Sequence, residues 1–154
     1  MTSSVETSQK AVLLDANVLS RLAKIGKADL LPTTLANRCT IAPAIYDELE
    51  AGVNAGVSYL RAVTAMVQQG KIRVLDLEVE DQQFIAAVPR KLARGEAEGI
   101  AICRRLGLVF ITHDRKAANY CERVGVACLH FRTLVEALHK RGLFTDSEAQ
   151  EVLE

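Results

Sequence analysis

The stretch GEAEGIAICRRLGLVFITHD, residues 95–114, has an apolar middle and acidic ends. Its apolar spacing predicts a helix over 95–106, and the run LVFIT predicts a buried strand over 108–112. Glu96 and Glu98 open the helix, and Asp114 follows the strand. A segment typical of a protein interior is thus bracketed by carboxylates. These acids are either helix caps or ligands of a metal ion.

The same alternation of short apolar runs and helical spacing continues on both sides of this stretch. It predicts strands over 11–14, 39–42, 72–77 and 126–129, and helices over 17–25, 45–52, 57–69, 114–124 and 131–141. A short helix is predicted around 84–88, and Thr145 to Glu148 resembles a capping box that opens a last helix. Short buried strands alternating with helices predict an α/β fold whose parallel sheet is covered on both faces.

Composition indicates one ordinary globular domain. The chain has 154 residues, 49% of them hydrophobic, which favours a single domain over residues 10–154 after a loose polar segment over 1–9. With 19 basic and 19 acidic residues, no overall charge favours nucleic acid. Neither a membrane-length apolar run nor a hydrophobic signal core is visible, so we expect a cytoplasmic protein without a membrane partner.

The acids fall where an open parallel sheet binds its ligands, beyond the carboxyl ends of the strands and where the strand order reverses. Asp15 ends the first predicted strand, and Asp114 lies two residues beyond the fourth. Glu48 lies early in the helix after the second strand, and Glu96 and Glu98 open the helix before the fourth. Four segments could therefore present an acid on one side of the sheet.

Clustered carboxylates repel one another unless a divalent cation neutralises them. Mg²⁺ and Mn²⁺ prefer oxygen ligands, and either ion can activate water against a phosphodiester. Each acid also has a simpler interpretation. Asp15 and Asp114 fit helix N-caps, Glu48 fits a solvated face, and the two glutamates fit a first helical turn. Glu96 and Glu98 point roughly 200° apart on a helix, so they have different roles, but both faces are partly apolar and spacing does not choose between them.

Four blocks resemble, in order, the motifs of PIN-domain nucleases. They are LLDANVLSRLAKIG (13–26), APAIYDELEAG (42–52), GEAEGIAICRRLG (95–107) and VFITHDRKAANYCERVGV (109–126). The third resembles a G-E-A-E-A-I-A-L block of one bacterial and archaeal subgroup. The resemblance implies an α/β/α sandwich with a five-stranded parallel sheet and a Mg²⁺ or Mn²⁺ site at its carboxyl edge. Many bacterial members are ribonuclease toxins of toxin–antitoxin pairs.

By motif, the resemblance implies a cluster of four catalytic and metal-binding acids: Asp15, Glu48, Glu98 and Asp114. Asn17 and Thr112 become supporting polar groups that orient carboxylates or water. The resemblance favours Glu98 over Glu96. The chain departs from the subgroup at His113, where another Asp is frequent, and at Gly99, where Ala is usual and Gly predicts a looser helix.

These observations predict a metal-dependent endoribonuclease with RNA as substrate. An antitoxin protein and a second copy of the chain are the candidate protein partners. A basic flank beside the acids would hold phosphates, and its candidate residues are Arg90, Lys91, Arg94, Arg115 and Lys116. The alternative for this flank is a solvated surface. The alternative function is an inactive PIN-like adaptor that binds a protein or nucleic acid and uses its acids as helix caps.

Overall fold

The five strands in the described part of the chain form one parallel sheet. The computed structural model describes residues 11–36 and 38–154, so the segment 1–9 lies outside the described residues. The strands are β1 (Val12–Leu14), β2 (Cys39–Ile41), β3 (Ile72–Val74), β4 (Val109–Thr112) and β5 (Cys128–His130). All pair in parallel, in the order β3-β2-β1-β4-β5. The predicted α/β fold with a five-stranded parallel sheet is confirmed.

Helices connect these strands. They are α1 (Ala16–Lys24), α2 (Leu30–Thr34), α3 (Pro43–Asn54), α4 (Arg61–Gln68), α5 (Val79–Ala86), α6 (Arg94–Leu106), α7 (Arg115–Val124), α8 (Phe131–Lys140) and α9 (Asp146–Leu153), with a 3₁₀ turn at Ser58–Leu60. None of the helices in the described part of the chain has the length and hydrophobicity that a membrane span requires. Helix α9 begins with the predicted capping box, since Thr145 and Glu148 cap each other's backbone N–H.

Both faces of the sheet are buried under helices. In β1, Leu13 and Leu14 are each 0% exposed, and in β4, Phe110 and Ile111 are buried in the same way. Because successive side chains of a strand point to opposite faces, neighbouring residues that are both buried require cover on both sides. This arrangement confirms the predicted layers of helix, sheet and helix.

The sheet order places β1 beside β4, where the direction of strand addition reverses. Leu14 pairs with Ile111, and the backbone N–H of Asp15 donates to the carbonyl of Ile111 at 2.9 Å. The two strands therefore end together, and the acids that follow them start from the same edge. This edge is the topological switch point at which open parallel sheets bind ligands.

Gly99 allows α6 to approach the sheet closely. A Cβ atom added at this position would lie 2.7 Å from Cε1 of Phe110 and 2.9 Å from Cδ2 of Leu13, both of which are fully buried. The sequence predicted that this glycine loosens the helix. The structure instead gives it a packing role, because a side chain at this position would collide with the two central strands.

We expect Gly99→Ala to lower the free energy of unfolding by about 1–2 kcal/mol. Contacts below 3.0 Å with two buried side chains place overpacking in the upper part of its usual range, at about 2–3 kcal/mol, and the gain in helix propensity returns about 1 kcal/mol. Urea unfolding of the two proteins measures the difference. Equal or greater stability of the variant would contradict the close packing at Gly99, because helix propensity alone predicts a gain.

Candidate active site

Asp15 is a buried carboxylate held by one donor from α1 and one from β4. Its side chain is 4% exposed at the end of β1, where it caps α1. Oδ1 accepts the backbone N–H of Ala16 at 2.8 Å, and Oδ2 accepts the hydroxyl of Thr112 at 2.6 Å. Burial raises the pKa of Asp15, although both hydrogen bonds favour the ionised form. Capping and orientation toward the switch point are thus compatible roles for this residue.

Thr112 connects Asp15 to the acid that follows β4. While its hydroxyl donates to Asp15, its oxygen accepts the backbone N–H of Asp114 at 3.1 Å. Asp114 in turn accepts the N–H of Lys116 at 2.8 Å and so caps α7. Partial burial acts to raise the pKa of Asp114, but hydrogen bonds from Glu96 and from the backbone of Lys116 outweigh it and lower the pKa. The hydroxyl of Thr112 therefore positions the carboxylate of Asp15 and the backbone of Asp114.

Glu96 joins these two acids from α6. Its side chain is 5% exposed, and its carboxyl group lies close enough to those of Asp15 and Asp114 to shift the pKa values of all three. Burial, followed by the hydrogen bond to Asp114, raises the pKa of Glu96 to about 8, while the N–H of Ala93, 3.0 Å from Oε1, acts in the opposite direction. The raised pKa favours the protonated form of Glu96, which reduces the repulsion between its carboxyl group and those of Asp15 and Asp114.

Glu98 lies elsewhere, although it is equally buried at 2% exposure. Its Oε1 accepts the backbone N–H of Ala44 at 2.8 Å, and its Oε2 accepts Nε of Arg94 at 3.0 Å. Helix α3 begins after Ala42, whose side chain has no acceptor, so Glu98 supplies the cap from another helix. The structure thus brings Glu96, and not the Glu98 favoured by the resemblance, to Asp15 and Asp114.

Packing decides which face of α6 meets the acids. Gly95 lies against Ile45, and Gly99 lies against Phe110 and Leu13, which fixes the rotation of α6 about its axis. Periodicity could not give this rotation, because both faces of the helix are buried. One signal was present in the sequence: Arg94 and Glu98 are four residues apart, which is the spacing of a helical ion pair.

Glu48 and Asn17 lie at the edge of the cluster. Glu48 is an exposed residue of α3. Partial desolvation of its carboxyl group, followed by the negative charge of Asp15, raises the pKa of Glu48. Oδ1 of Asn17 accepts the backbone N–H of His113 at 3.3 Å, which ties α1 to the segment after β4. The His113 ring packs against His130 and Phe131, with centroids 5.3 and 5.6 Å away. Burial lowers the pKa of His113, which favours the uncharged ring.

The donor set suits a hard divalent cation. Asp15, Glu96 and Asp114 supply only carboxylate oxygens, which Mg²⁺ and Mn²⁺ prefer, and Glu48 adds a fourth acid at the rim. Within residues 11–36 and 38–154, no three His, Cys, Asp or Glu side chains already form a metal-binding group. Because the pKa of Glu96 is raised beside Asp114 and Asp15, a cation bound by the three acids would displace a proton from Glu96.

The cations in this part of the sequence form two groups, the five candidates for nucleic-acid binding and two further arginines. Arg90, Lys91, Arg94, Arg115 and Lys116 are all exposed. Arg104 and Arg105, in the same part of the sequence, contact side chains of α5 instead. Arg104 lies over the ring of Phe84 at 5.0 Å, and Arg105 pairs with the buried Asp81 at 2.9 Å. The first group is therefore the one placed to meet a phosphate backbone.

Thr112→Val should lower any activity of this site by about tenfold or more and cost about 1–3 kcal/mol of stability, because the buried Asp15 loses its shortest hydrogen bond. Thr40→Val is the matched control, since its hydroxyl donates to the carbonyl of Val12 at 2.7 Å in another buried strand position. We expect a comparable loss of stability from the control, measured by urea unfolding, with activity unchanged. Equal activity losses in the two variants would remove the positioning role of Thr112.

Sequence comparison agrees with this geometry. A family model described as PIN domain matches residues 11–154, nearly the whole chain. No curated protein matches the sequence at a significant level.

Proposed function

Because the chain belongs to the PIN-domain family, whose members are in general nucleases, we propose that it is a metal-dependent endoribonuclease. The observation that supports this most is the meeting of Asp15, Glu96 and Asp114 at the carboxyl ends of the two central strands. Burial and the neighbouring acids raise the pKa of Glu96 to about 8, so ionising all three carboxyl groups is energetically unfavourable without a bound cation. Glu96 also accepts the backbone N–H of Ala93 as a cap of α6, so its interactions with Asp15 and Asp114 are additional to capping.

In this proposal Asp15, Glu96 and Asp114 would hold Mg²⁺ or Mn²⁺, and Glu48 would supply a fourth carboxylate from the edge of the cluster. When bound, such an ion supplies a Lewis acid for the phosphodiester and lowers the pKa of water toward neutrality. Glu96 would bind the ion in its ionised form, so its proton would pass to solvent when the ion binds. Thr112 orients Asp15 and the backbone of Asp114. Glu98 would act indirectly, because it caps α3 and so helps to position the helix that carries Glu48.

RNA is the proposed substrate, and its phosphates would contact the exposed cations beside the acids. Lys91 and Arg94 precede Glu96, and Arg115 and Lys116 follow Asp114, so positive charge flanks the carboxylates. Such a flank offsets the repulsion between the acids and a phosphate backbone.

The test is cleavage of single-stranded RNA by the purified full chain in Mn²⁺. Asp15→Asn keeps the shape of the side chain and removes its charge, and we expect it to cut the rate by at least about a hundredfold, equivalent to ~2.7 kcal/mol in the barrier. Asp29→Asn is the control, because Asp29 is exposed at the start of α2 and its side chain makes no capping bond. Equal cleavage by wild type and Asp15→Asn contradicts the proposal.

We also propose, from the resemblance alone, that the enzyme is the toxin of a toxin–antitoxin pair. Growth arrest on expression in a bacterial host, absent for Asp15→Asn, is the expected result, and normal growth contradicts it.

A second copy of the chain would have to use surfaces other than the apolar faces of segments 17–25 and 57–69. Those faces, including Leu19, Leu22 and Val63, are buried in the core.

A further inference from the structure

A small basic pocket lies beside the acidic cluster. It is lined by five residues, Lys91, Lys116, Asn119, Tyr120 and Arg123, and has a volume of about 110 Å³. Sites for organic ligands usually measure roughly 300–1,000 Å³, so this pocket is too small for a nucleotide. Its size and its three cationic side chains suit a single tetrahedral anion.

The pocket is built on the segments that carry the acids. Lys91 lies two residues before Ala93, whose N–H donates to Oε1 of Glu96 at 3.0 Å. The backbone N–H of Lys116 donates to Asp114 at 2.8 Å. The backbone segments that carry Lys91 and Lys116 are therefore held to two acids of the cluster, which places the pocket near the carboxylates.

Helix α7 presents the remaining wall as one face. Lys116, Asn119, Tyr120 and Arg123 follow the spacing i, i+3, i+4 and i+7, so they share a stripe of the helix. The ring of Tyr120 packs against Phe84 of α5, with centroids 6.3 Å apart. This packing and the burial of Ala117 and Cys121 hold α7 in place.

The cations of the pocket are available to bind a ligand. Among the described residues, Lys91, Lys116 and Arg123 form no salt bridge, whereas Arg94 pairs with Glu98 and Arg105 with Asp81. The pocket lining in the described part of the chain also includes no acidic residue. Three such cations and an amide around one small cavity are the groups that bind phosphate oxygens.

We propose that this pocket binds a backbone phosphate of the RNA strand, one that flanks the phosphodiester facing the acidic cluster. The inference rests on the proposed function, because it takes RNA as the substrate. It adds Asn119, Tyr120 and Arg123 to the residues that bind nucleic acid and excludes Arg104 and Arg105. The pocket sets where the strand enters, and the acids set where it is cut.

The experiment measures binding of a short fluorescein-labelled single-stranded RNA by anisotropy. All proteins carry Asp15→Asn and are measured in Mg²⁺, so that the strand stays intact. Arg123→Gln and Lys91→Gln are compared with Arg141→Gln, whose exposed cation also lies at the carboxyl end of a helix but does not line the pocket. Circular dichroism melting verifies that each variant is folded.

Each pocket variant should bind about fivefold more weakly, and the slope of log affinity against log salt should fall by about 0.7 for each phosphate that the variant no longer neutralises. Arg141→Gln should bind as its parent does. Pocket variants that bind like the parent, with an unchanged slope, overturn the phosphate pocket and leave the nuclease proposal intact. If wild type neither binds nor cleaves RNA, both proposals are contradicted together.

Discussion

Glu96→Gln is expected to abolish metal-dependent RNA cleavage, while Glu98→Gln retains it. The carboxyl group of Glu96 lies beside those of Asp15 and Asp114, whereas the carboxylate of Glu98 accepts hydrogen bonds from Ala44 and Arg94. Loss of a group that merely supports a metal ligand costs roughly 10–100-fold, so loss of a ligand should cost at least about a hundredfold. Glutamine at 98 still accepts the N–H of Ala44, and it gives up only a pair whose arginine side chain is 82% exposed.

The two variants control for each other. Both make the same substitution on α6, two residues apart, at side chains that are 5% and 2% exposed. Initial rates in Mn²⁺ measure activity, and urea unfolding measures stability, where we expect Glu98→Gln to lose no more than about 1 kcal/mol. The reverse order, with Glu98→Gln inactive and Glu96→Gln active, would restore the interpretation drawn from the sequence motif.

The response of stability to Mn²⁺ should depend steeply on pH. Burial and the hydrogen bond to Asp114 raise the pKa of Glu96 from 4.5 to about 8 in the folded protein. Between these values the folded state holds a proton that the unfolded state has lost, so this group makes stability fall as pH rises. Its stabilising contribution is complete below pH 4.5 and is lost as pH rises through about 8.

Mn²⁺ must displace the same proton, so its affinity should rise by up to about tenfold per pH unit across this window. Melting curves with and without Mn²⁺, taken from about pH 5.5 to about pH 8, measure the effect. The shift caused by Mn²⁺ should grow with pH in wild type and vanish in Glu96→Gln, whose metal-free stability should also lose most of this pH dependence. A shift that is absent at every pH would favour the adaptor function over the enzyme.

Local patterns predicted the sheet and the positions of Asp15 and Asp114, because a strand followed at once by an acid is visible in the sequence. Helix boundaries were less accurate where capping decides them. Helix α5 begins at Val79, earlier than expected, because Glu78 and Asp81 cap its first turn. The short α2 was missed, since it contains Pro32 and its first turn has no side-chain cap.

The roles of Glu96 and Glu98 could not be read from periodicity. Both faces of α6 are buried, so the choice depends on how Gly95 and Gly99 seat the helix against Ile45 and the central strands. The basic pocket could not be predicted for the same reason, because it depends on tertiary packing. Its stripe on α7 is visible as spacing, but Lys91 joins it from a loop that only the tertiary fold brings near.

Anomalous diffraction from a crystal of the full chain soaked in Mn²⁺ tests the central claim most directly. The account predicts a peak in contact with the carboxylates of Asp15, Glu96 and Asp114, with Glu98 still bound to the N–H of Ala44. A peak coordinated by Glu98, or no peak at the three acids, would contradict the account.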